Sequence, residues 1–174
     1  MNSNLIYDAH LHLQDLRLSL VLDEVLSGLD AQGVGAVVVN GTTSADWQAV
    51  YDLSQRDRRI IPSFGFHPWF LSSLPLDWRQ QLARMLDRAP SAVGEIGLDR
   101  WMPDPDIALQ EEVFLAQLQI AAERELPVSI HCLKAWGRLF ELLSSVTLPK
   151  VGFLLHSYGG PTEMVPKFAK TTPQ

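Results

Sequence analysis

Tyr7-Asp8-Ala9-His10-Leu11-His12-Leu13 reads as a β-strand that ends in two imidazoles. Strand side chains alternate between faces, so His10 and His12 project on one side, about 6–7 Å apart along the backbone. Two imidazoles so placed can converge on one metal ion at ~2.1 Å each. Asp8 shares their face. An N-terminal strand of the form Asp-x-His-x-His points to a metal-dependent hydrolase.

Outward from this strand the chain alternates β-like runs with helical patterns. The further runs are Ala36–Asn40, Ile60–Phe66, Ala92–Leu98, Val128–Leu133 and Val151–Tyr158, beside a first run over Leu5–His12. Several are continuously apolar, as expected of parallel strands covered on both faces. Between them, Leu22, Val25, Leu26 and Leu29 match the i, i+3, i+4, i+7 template of a helix. Trp136, Leu139, Phe140 and Leu143 match it again. Trp78, Leu82, Met85 and Leu86 form a similar face, as do Val113, Ala116, Ile120 and Ala121, and Asp46–Leu53 gives a shorter helical signal. The tail Lys170-Thr171-Thr172-Pro173-Gln174 is polar and breaks the last helical pattern.

Successive βα units without a hairpin signal imply a parallel sheet with right-handed crossovers. No Gly-x-Gly-x-x-Gly turn follows the first strand, which argues against a dinucleotide-binding fold. Chemically loaded residues follow strand after strand instead, as in a barrel. A (β/α)8 barrel needs eight units and typically ~250 residues. This chain of 174 residues supplies about six.

Composition narrows the class. Apolar content of 47% and charged content of 20% match a soluble globular domain. A net charge of −6 argues against a broad electrostatic nucleic-acid surface, although bound cations can supply local positive charge. Cys132 is the single cysteine, so no intrachain disulfide partner exists and a reducing cytoplasmic location fits. No secretory signal or membrane-length apolar run is visible.

All five histidines fall at or near the C-terminal ends of expected strands: His10, His12, His67, His131 and His156. Parallel α/β folds build active sites on that rim. A single histidine is more often structural, but scattered structural histidines would not collect there. Glu95, in Val93-Gly94-Glu95-Ile96-Gly97-Leu98-Asp99, adds a carboxylate inside an apolar strand. A buried charge is costly unless paired or metal-bound. Pairing with an arginine is the bland alternative, yet no basic residue lies in the strand cores. His10, His12, Glu95, His131 and His156 suffice for two divalent metal ions sharing a carboxylate, of the Mg, Mn or Zn kind. Asp99 is placed to orient a ligand or to cap the following turn.

Asp8-Ala9-His10-Leu11-His12-Leu13, Gly65-Phe66-His67-Pro68, Gly94-Glu95-Ile96-Gly97-Leu98-Asp99, Pro127-Val128-Ser129-Ile130-His131 and Leu155-His156-Ser157-Tyr158-Gly159-Gly160 resemble, in order, the signatures of TatD-family metal-dependent hydrolases. The resemblance covers essentially the whole chain. It implies a TIM-barrel metallohydrolase fold and, in several members, Mg- or Mn-dependent DNase activity. It also implies that His10 and His12 hold one metal, that Glu95 bridges, and that His131 and His156 hold the other. His67 would line the substrate site rather than bind metal and, with Glu95, take part in catalysis.

The chain departs from that pattern in three places. Leu133 and Lys134 stand where the family often has a basic-acidic pair. His156-Ser157-Tyr158-Gly159-Gly160 replaces His-x-Phe-Ser-Gly. The Thr-Asp-Ser-Pro segment of the last strand, whose Asp completes the first metal site, has no counterpart, and Asp104 and Asp106 lie too early in the topology to replace it. The expected fold is therefore α/β, a TIM-barrel metallohydrolase type with about six βα units. Residues 1–174 would form a single domain lacking the last strands and the C-terminal Asp ligand, as in a truncated gene product or an incomplete gene model. Open strand edges would then offer a route to oligomers.

Trp69, Phe70 and Trp101 fall in loops on the active rim, where they either stack on nucleobases or cover the barrel mouth. Lys134, Arg138 and Arg100 are candidate phosphate contacts, with a solvated surface role favoured for Arg138. Cys132 follows a ligand histidine and should point away from the site into the core. The expected activity is two-metal hydrolysis of phosphodiester bonds, with DNA as the leading substrate. The alternatives are amide or ester hydrolysis by the same site, or an inactive fragment that binds metal or a partner chain.

Overall fold

In a computed structural model describing residues 5–171, the chain forms one parallel sheet with helices between its strands. The strands are β1 (Ile6–Leu11), β2 (Val34–Asn40), β3 (Ile60–Phe64), β4 (Ala92–Asp99), β5 (Val128–Leu133) and β6 (Phe153–Leu155). The helices are α1 (Leu22–Gly28), α2 (Trp47–Arg56), α3 (Trp78–Leu86), α4 (Ile107–Glu123), α5 (Trp136–Ser145) and α6 (Val165–Thr171). Strand order follows chain order from β1 to β6, and every neighbouring pair is parallel. A doubly wound sheet reverses direction at a switch point, whereas this one winds one way only, as in a TIM barrel. The sheet curls into a nearly closed barrel. His10 of β1 reaches Ser129 of β5, with Nδ1 2.7 Å from Oγ.

The middle of the sheet is the core. All of β4 is buried, and Val37, Val39, Phe64, Val93, Ile96 and Ile130 are almost wholly shielded. At the first edge, β1 exposes Ile6 and Tyr7, contrary to the two-sided cover expected of parallel strands, because among the described residues β2 is its one strand neighbour. Strand β6 is shorter than the apolar run 151–158 suggests. Gly152 adopts φ 86°, outside extended geometry, and Ser157 turns the chain at φ 47°, so only Phe153–Leu155 pair. Lys170 and Thr171 continue α6 rather than breaking it, whereas Thr172–Gln174 lie outside the described residues.

Helix α4 carries the largest departure from the sequence reading. Its buried face comprises Gln110, Val113, Phe114, Gln117, Leu118 and Ala121, with Ala116 and Ile120 only partly covered. Two glutamines two turns apart lie on the same face and act as stand-in strand partners. Gln117 Oε1 accepts from the Phe66 amide at 2.7 Å, and its Nε2 donates to the Phe66 carbonyl at 3.2 Å. Gln110 does the same for Asp99, at 2.8 and 3.0 Å. Backbone polar groups at strand ends need partners when buried. The helix thus pins the two places from which the rim chemistry projects.

Candidate metal centre

Glu95 lies midway along β4 with its side chain 4% exposed. Gly97, two residues on, lets β4 and β5 approach. A Cβ there would lie 1.9 Å from the His131 carbonyl oxygen, and its φ of 149° disfavours any side chain. The register sets Gly97 opposite His131 and brings that imidazole to Glu95.

The two Glu95 oxygens face separate sets of imidazoles. Oε2 lies 3.3 Å from His10 Nε2 and 3.2 Å from His12 Nε2. Oε1 lies 2.9 Å from His131 Nδ1, 2.7 Å from His156 Nε2 and 3.3 Å from His67 Nε2. All five histidines singled out in the sequence meet one carboxylate. Among the described residues every ion-pair partner of Glu95 is an imidazole, and none is an arginine.

The outer nitrogens show which tautomers the rings adopt. His12 Nδ1 lies 2.7 Å from the Asn40 carbonyl, which can only accept, so Nδ1 carries a proton. A neutral His12 would then aim a bare Nε2 lone pair at Glu95 Oε2. Two acceptors facing each other need a cation between them. A proton serves in the metal-free chain: the Glu95 carboxylate raises His12 above the ordinary imidazole range against the opposing effect of burial. His10 differs. Burial lowers it despite Glu95, and its Nε2 is buried, out of line with Oε2 and without a hydrogen-bond partner. An orphaned nitrogen and a crowded carboxylate oxygen fit a divalent ion, as does the mixed N/O donor set. His10, His12 and Glu95 form one candidate cluster, with ligand atoms within 4.8 Å of one another.

The second cluster holds His67, Glu95 and His131. The sequence reading groups His131 with His156 instead. In the structure His156 keeps its 2.7 Å contact with Glu95 while its ring stacks on His10. His67 follows β3 and caps the 3-10 turn Pro68–Ser73, where its Nδ1 accepts from the Trp69 amide at 3.1 Å. A neutral His67 therefore carries its proton on Nε2, towards Glu95. It is a donor there, the opposite of His12. Burial lowers its pKa. His131 faces carboxylates on both sides, with Nε2 2.8 Å from Asp99 Oδ2. Burial opposes its protonation, but Glu95 and Asp99 outweigh it and raise its pKa. Burial likewise works to raise Glu95, and the surrounding imidazoles of His10, His12, His131 and His156 overcome it, holding the carboxyl far below its usual range.

Asp99 fills both roles that the sequence left open. Oδ1 accepts from the amides of Trp101 and Met102 at 2.7 and 3.1 Å, capping the turn, while Oδ2 holds His131. Asn40 and Ser129 were not picked out in the sequence. They fix His12 and His10 from behind, but an Asn at a strand end and a Ser within a strand carry no local signal of it.

A cavity of about 880 Å³ opens over the cluster, lined by His12, His67, Trp69, Phe70 and His131 among others. Trp69 and Phe70 form part of its wall, and Trp101 does not. Arg17 at its mouth is paired with Asp15. Arg138 is committed to Glu111 and Glu141, away from the cavity.

A singly wound parallel β/α sheet with imidazoles clustered on a buried carboxylate at its C-terminal rim defines a candidate metal centre of the TIM-barrel type. The chain belongs to the TatD related DNase family, whose model matches residues 7–172. It is 28% identical over 166 residues to "Uncharacterized metal-dependent hydrolase YjjV" of Escherichia coli (strain K12), covering 94% of this chain and 64% of that protein. It is 31% identical over 157 residues to "3'-5' ssDNA/RNA exonuclease TatD" of Enterobacter lignolyticus, covering 89% of this chain and 60% of the other. The crystal structure of the Escherichia coli protein YjjV superposes with a TM-score of 0.88 at 27% identity, covering 95% of this chain and 65% of that one. A TatD-family hydrolase from Entamoeba histolytica, at 16% identity and a TM-score of 0.83, shares the fold. The chain thus spans about three fifths of the length of the curated relatives it matches. Among the described residues no helix is long and apolar enough to cross a membrane.

Proposed function

We propose that this chain carries the metal centre of a hydrolase that cleaves phosphodiester bonds in nucleic acid, single-stranded DNA being the leading substrate. One observation supports this most. Each oxygen of Glu95 has its own set of imidazoles, at 3.2–3.3 Å on one side and 2.7–3.3 Å on the other, as a carboxylate bridging two cations requires. His10 and His12 would hold one ion, His131 and His156 the other, and Glu95 both. Bound there, two divalent ions supply Lewis acidity towards a phosphoryl oxygen and a water activated at neutral pH.

The chain's own residues do the rest. Asn40 and Ser129 orient His12 and His10, keeping Nε2 directed at the carboxylate. His67, its Nδ1 engaged by the Trp69 amide, directs Nε2–H to Glu95 Oε1 and lines the cavity beside it. Trp69 and Phe70 offer aromatic faces on the cavity wall, where a base stacked by an aromatic gains ~1–3 kcal/mol. The relative from Enterobacter lignolyticus bears the name of an ssDNA/RNA exonuclease, which supports this substrate class.

The test is cleavage of a labelled single-stranded DNA with Mg²⁺, Mn²⁺ or EDTA, beside a Glu95→Ala control and with bound metal measured. Metal-dependent cleavage that the control loses is expected. Hydrolysis confined to amides or esters, or a chain that takes up no metal, would overturn the proposal.

A further inference from the structure

We infer that Trp69 is a positioning residue whose two N–H groups fix the two imidazoles on the Oε1 side of Glu95. The inference takes its functional meaning from the metal-centre reading above. Its amide donates to His67 Nδ1 at 3.1 Å. Its indole Nε1–H donates to Asp99 Oδ2 at 2.6 Å, and the same oxygen lies 2.8 Å from His131 Nε2. One residue therefore sets the tautomer of His67 directly and the ring of His131 through a single shared carboxylate oxygen.

Asp99 depends on this bond because it is fully buried, where a carboxylate oxygen needs a protein partner. Its Oδ1 is consumed by two turn amides, and among the described residues the partners of Oδ2 are the indole and His131. With the indole N–H removed, that oxygen is held by the imidazole alone. The carboxylate can then swing about its Oδ1 anchor, and His131 with it. A residue that only covers the cavity mouth needs no such bond. Trp69 is 52% exposed, yet it turns its one polar atom inward to a wholly buried carboxylate. Trp101, at 70% exposure on the same rim, makes no side-chain hydrogen bond of this kind and lines no part of the cavity. In sequence the two tryptophans look alike; among the described residues Trp101 reaches Asp99 through its backbone amide alone, whereas Trp69 reaches it with its indole.

The decisive change keeps the ring and deletes the proton. Replacing Trp69 by β-(3-benzothienyl)alanine puts sulfur in place of N–H with nearly the same shape, and Trp69→Phe is the genetically encoded counterpart. In the metal-free chain, ¹⁵N-histidine NMR should show the His131 Nε2–H signal shifted or lost through faster exchange. The His67 signature should persist, since the residue 69 amide is retained. In Mn²⁺ titration calorimetry one of the two binding steps should weaken about 10-fold, in line with outer-shell changes at metal sites, while the other stays within two-fold. An unchanged His131 signal, or a fall in melting temperature with both Mn²⁺ steps unmoved, would overturn the inference and leave Trp69 a cover for the cavity. If the unsubstituted protein takes up no Mn²⁺, the metal reading fails, and the NMR comparison still decides whether Trp69 positions His131.

Discussion

The imidazole of His10 lies flat on that of His156, with ring centroids 3.8 Å apart and planes 3° from parallel. The two residues belong to opposite ends of the sheet. His10 is in β1, His156 follows β6, and those strands share no hydrogen-bonded ladder. What joins them is the site. Both rings reach the carboxylate of Glu95, His10 through Oε2 and His156 through Oε1. The curl of the sheet and the assembly of the cluster are one geometric fact.

Glu95 is the part that both halves share. Glu95→Gln keeps the shape, removes the charge and turns one acceptor oxygen into a donor. Divalent-ion affinity should fall by about 100-fold or more, the upper end of what even supporting groups cost when changed. Calorimetry and elemental analysis of the dialysed protein measure it. Affinity within a few-fold of the unsubstituted chain would mean that Glu95 does not bridge.

Proton competition gives a signed pH dependence. His12 and His131 have raised pKa values in the metal-free chain, so they still hold protons above pH 6.5 that a metal must displace. Metal affinity should rise with pH from about 6.5 to 8, with proton release seen as a buffer-dependent binding enthalpy. The metal-free fold should move the other way. A raised folded pKa stabilises the native state fully below the unfolded value, and the gain is lost as pH rises through the folded pKa. His10 and His67 are lowered, so near pH 6.5 the unfolded chain holds protons on them that the fold lacks, which opposes the trend there; by about pH 7.5 they are neutral in both states. In EDTA the melting temperature should therefore decline from about pH 7.5 upward. A rise would contradict the raised pKa values.

Gln117→Ala removes both partners of the Phe66 backbone in a buried setting. An unsatisfied buried group costs ~1–3 kcal/mol, so two should lower stability by about 3 kcal/mol in urea unfolding. The loosened Phe66 also precedes His67, so metal-site spectra should broaden there first. A change below about 1 kcal/mol would show that water replaces the amide.

Cys132 lies in the core, and burial pushes its thiol up to about 12. It should resist Ellman's reagent at pH 8 in the folded chain and react stoichiometrically in guanidinium chloride. Rapid labelling of the native protein would place the thiol at the surface.

Much of the candidate site was legible because imidazole and carboxylate side chains in strands are chemically conspicuous. Five histidines at strand ends and one carboxylate in an apolar strand form a pattern that packing alone does not produce. The helices at Leu22–Gly28, Trp78–Leu86 and Trp136–Ser145 were legible from apolar periodicity. The inward face of α4 was not. Gln110 and Gln117 look like solvent-facing residues by polarity, and only the bare backbone ends at Asp99 and Phe66 make them buried partners.

By itself, then, the sequence determined a one-way βα succession and which imidazole and carboxylate side chains gather on the rim, since both follow from local periodicity and residue type. It could not determine which rings share each oxygen of Glu95 or which way each ring presents its lone pair. Those depend on contacts between residues far apart in the chain: Asn40 behind His12, Ser129 behind His10, Trp69 on His67 and on Asp99. A tautomer is fixed by whichever partner stands on the far side of the ring, and only the tertiary structure supplies that partner.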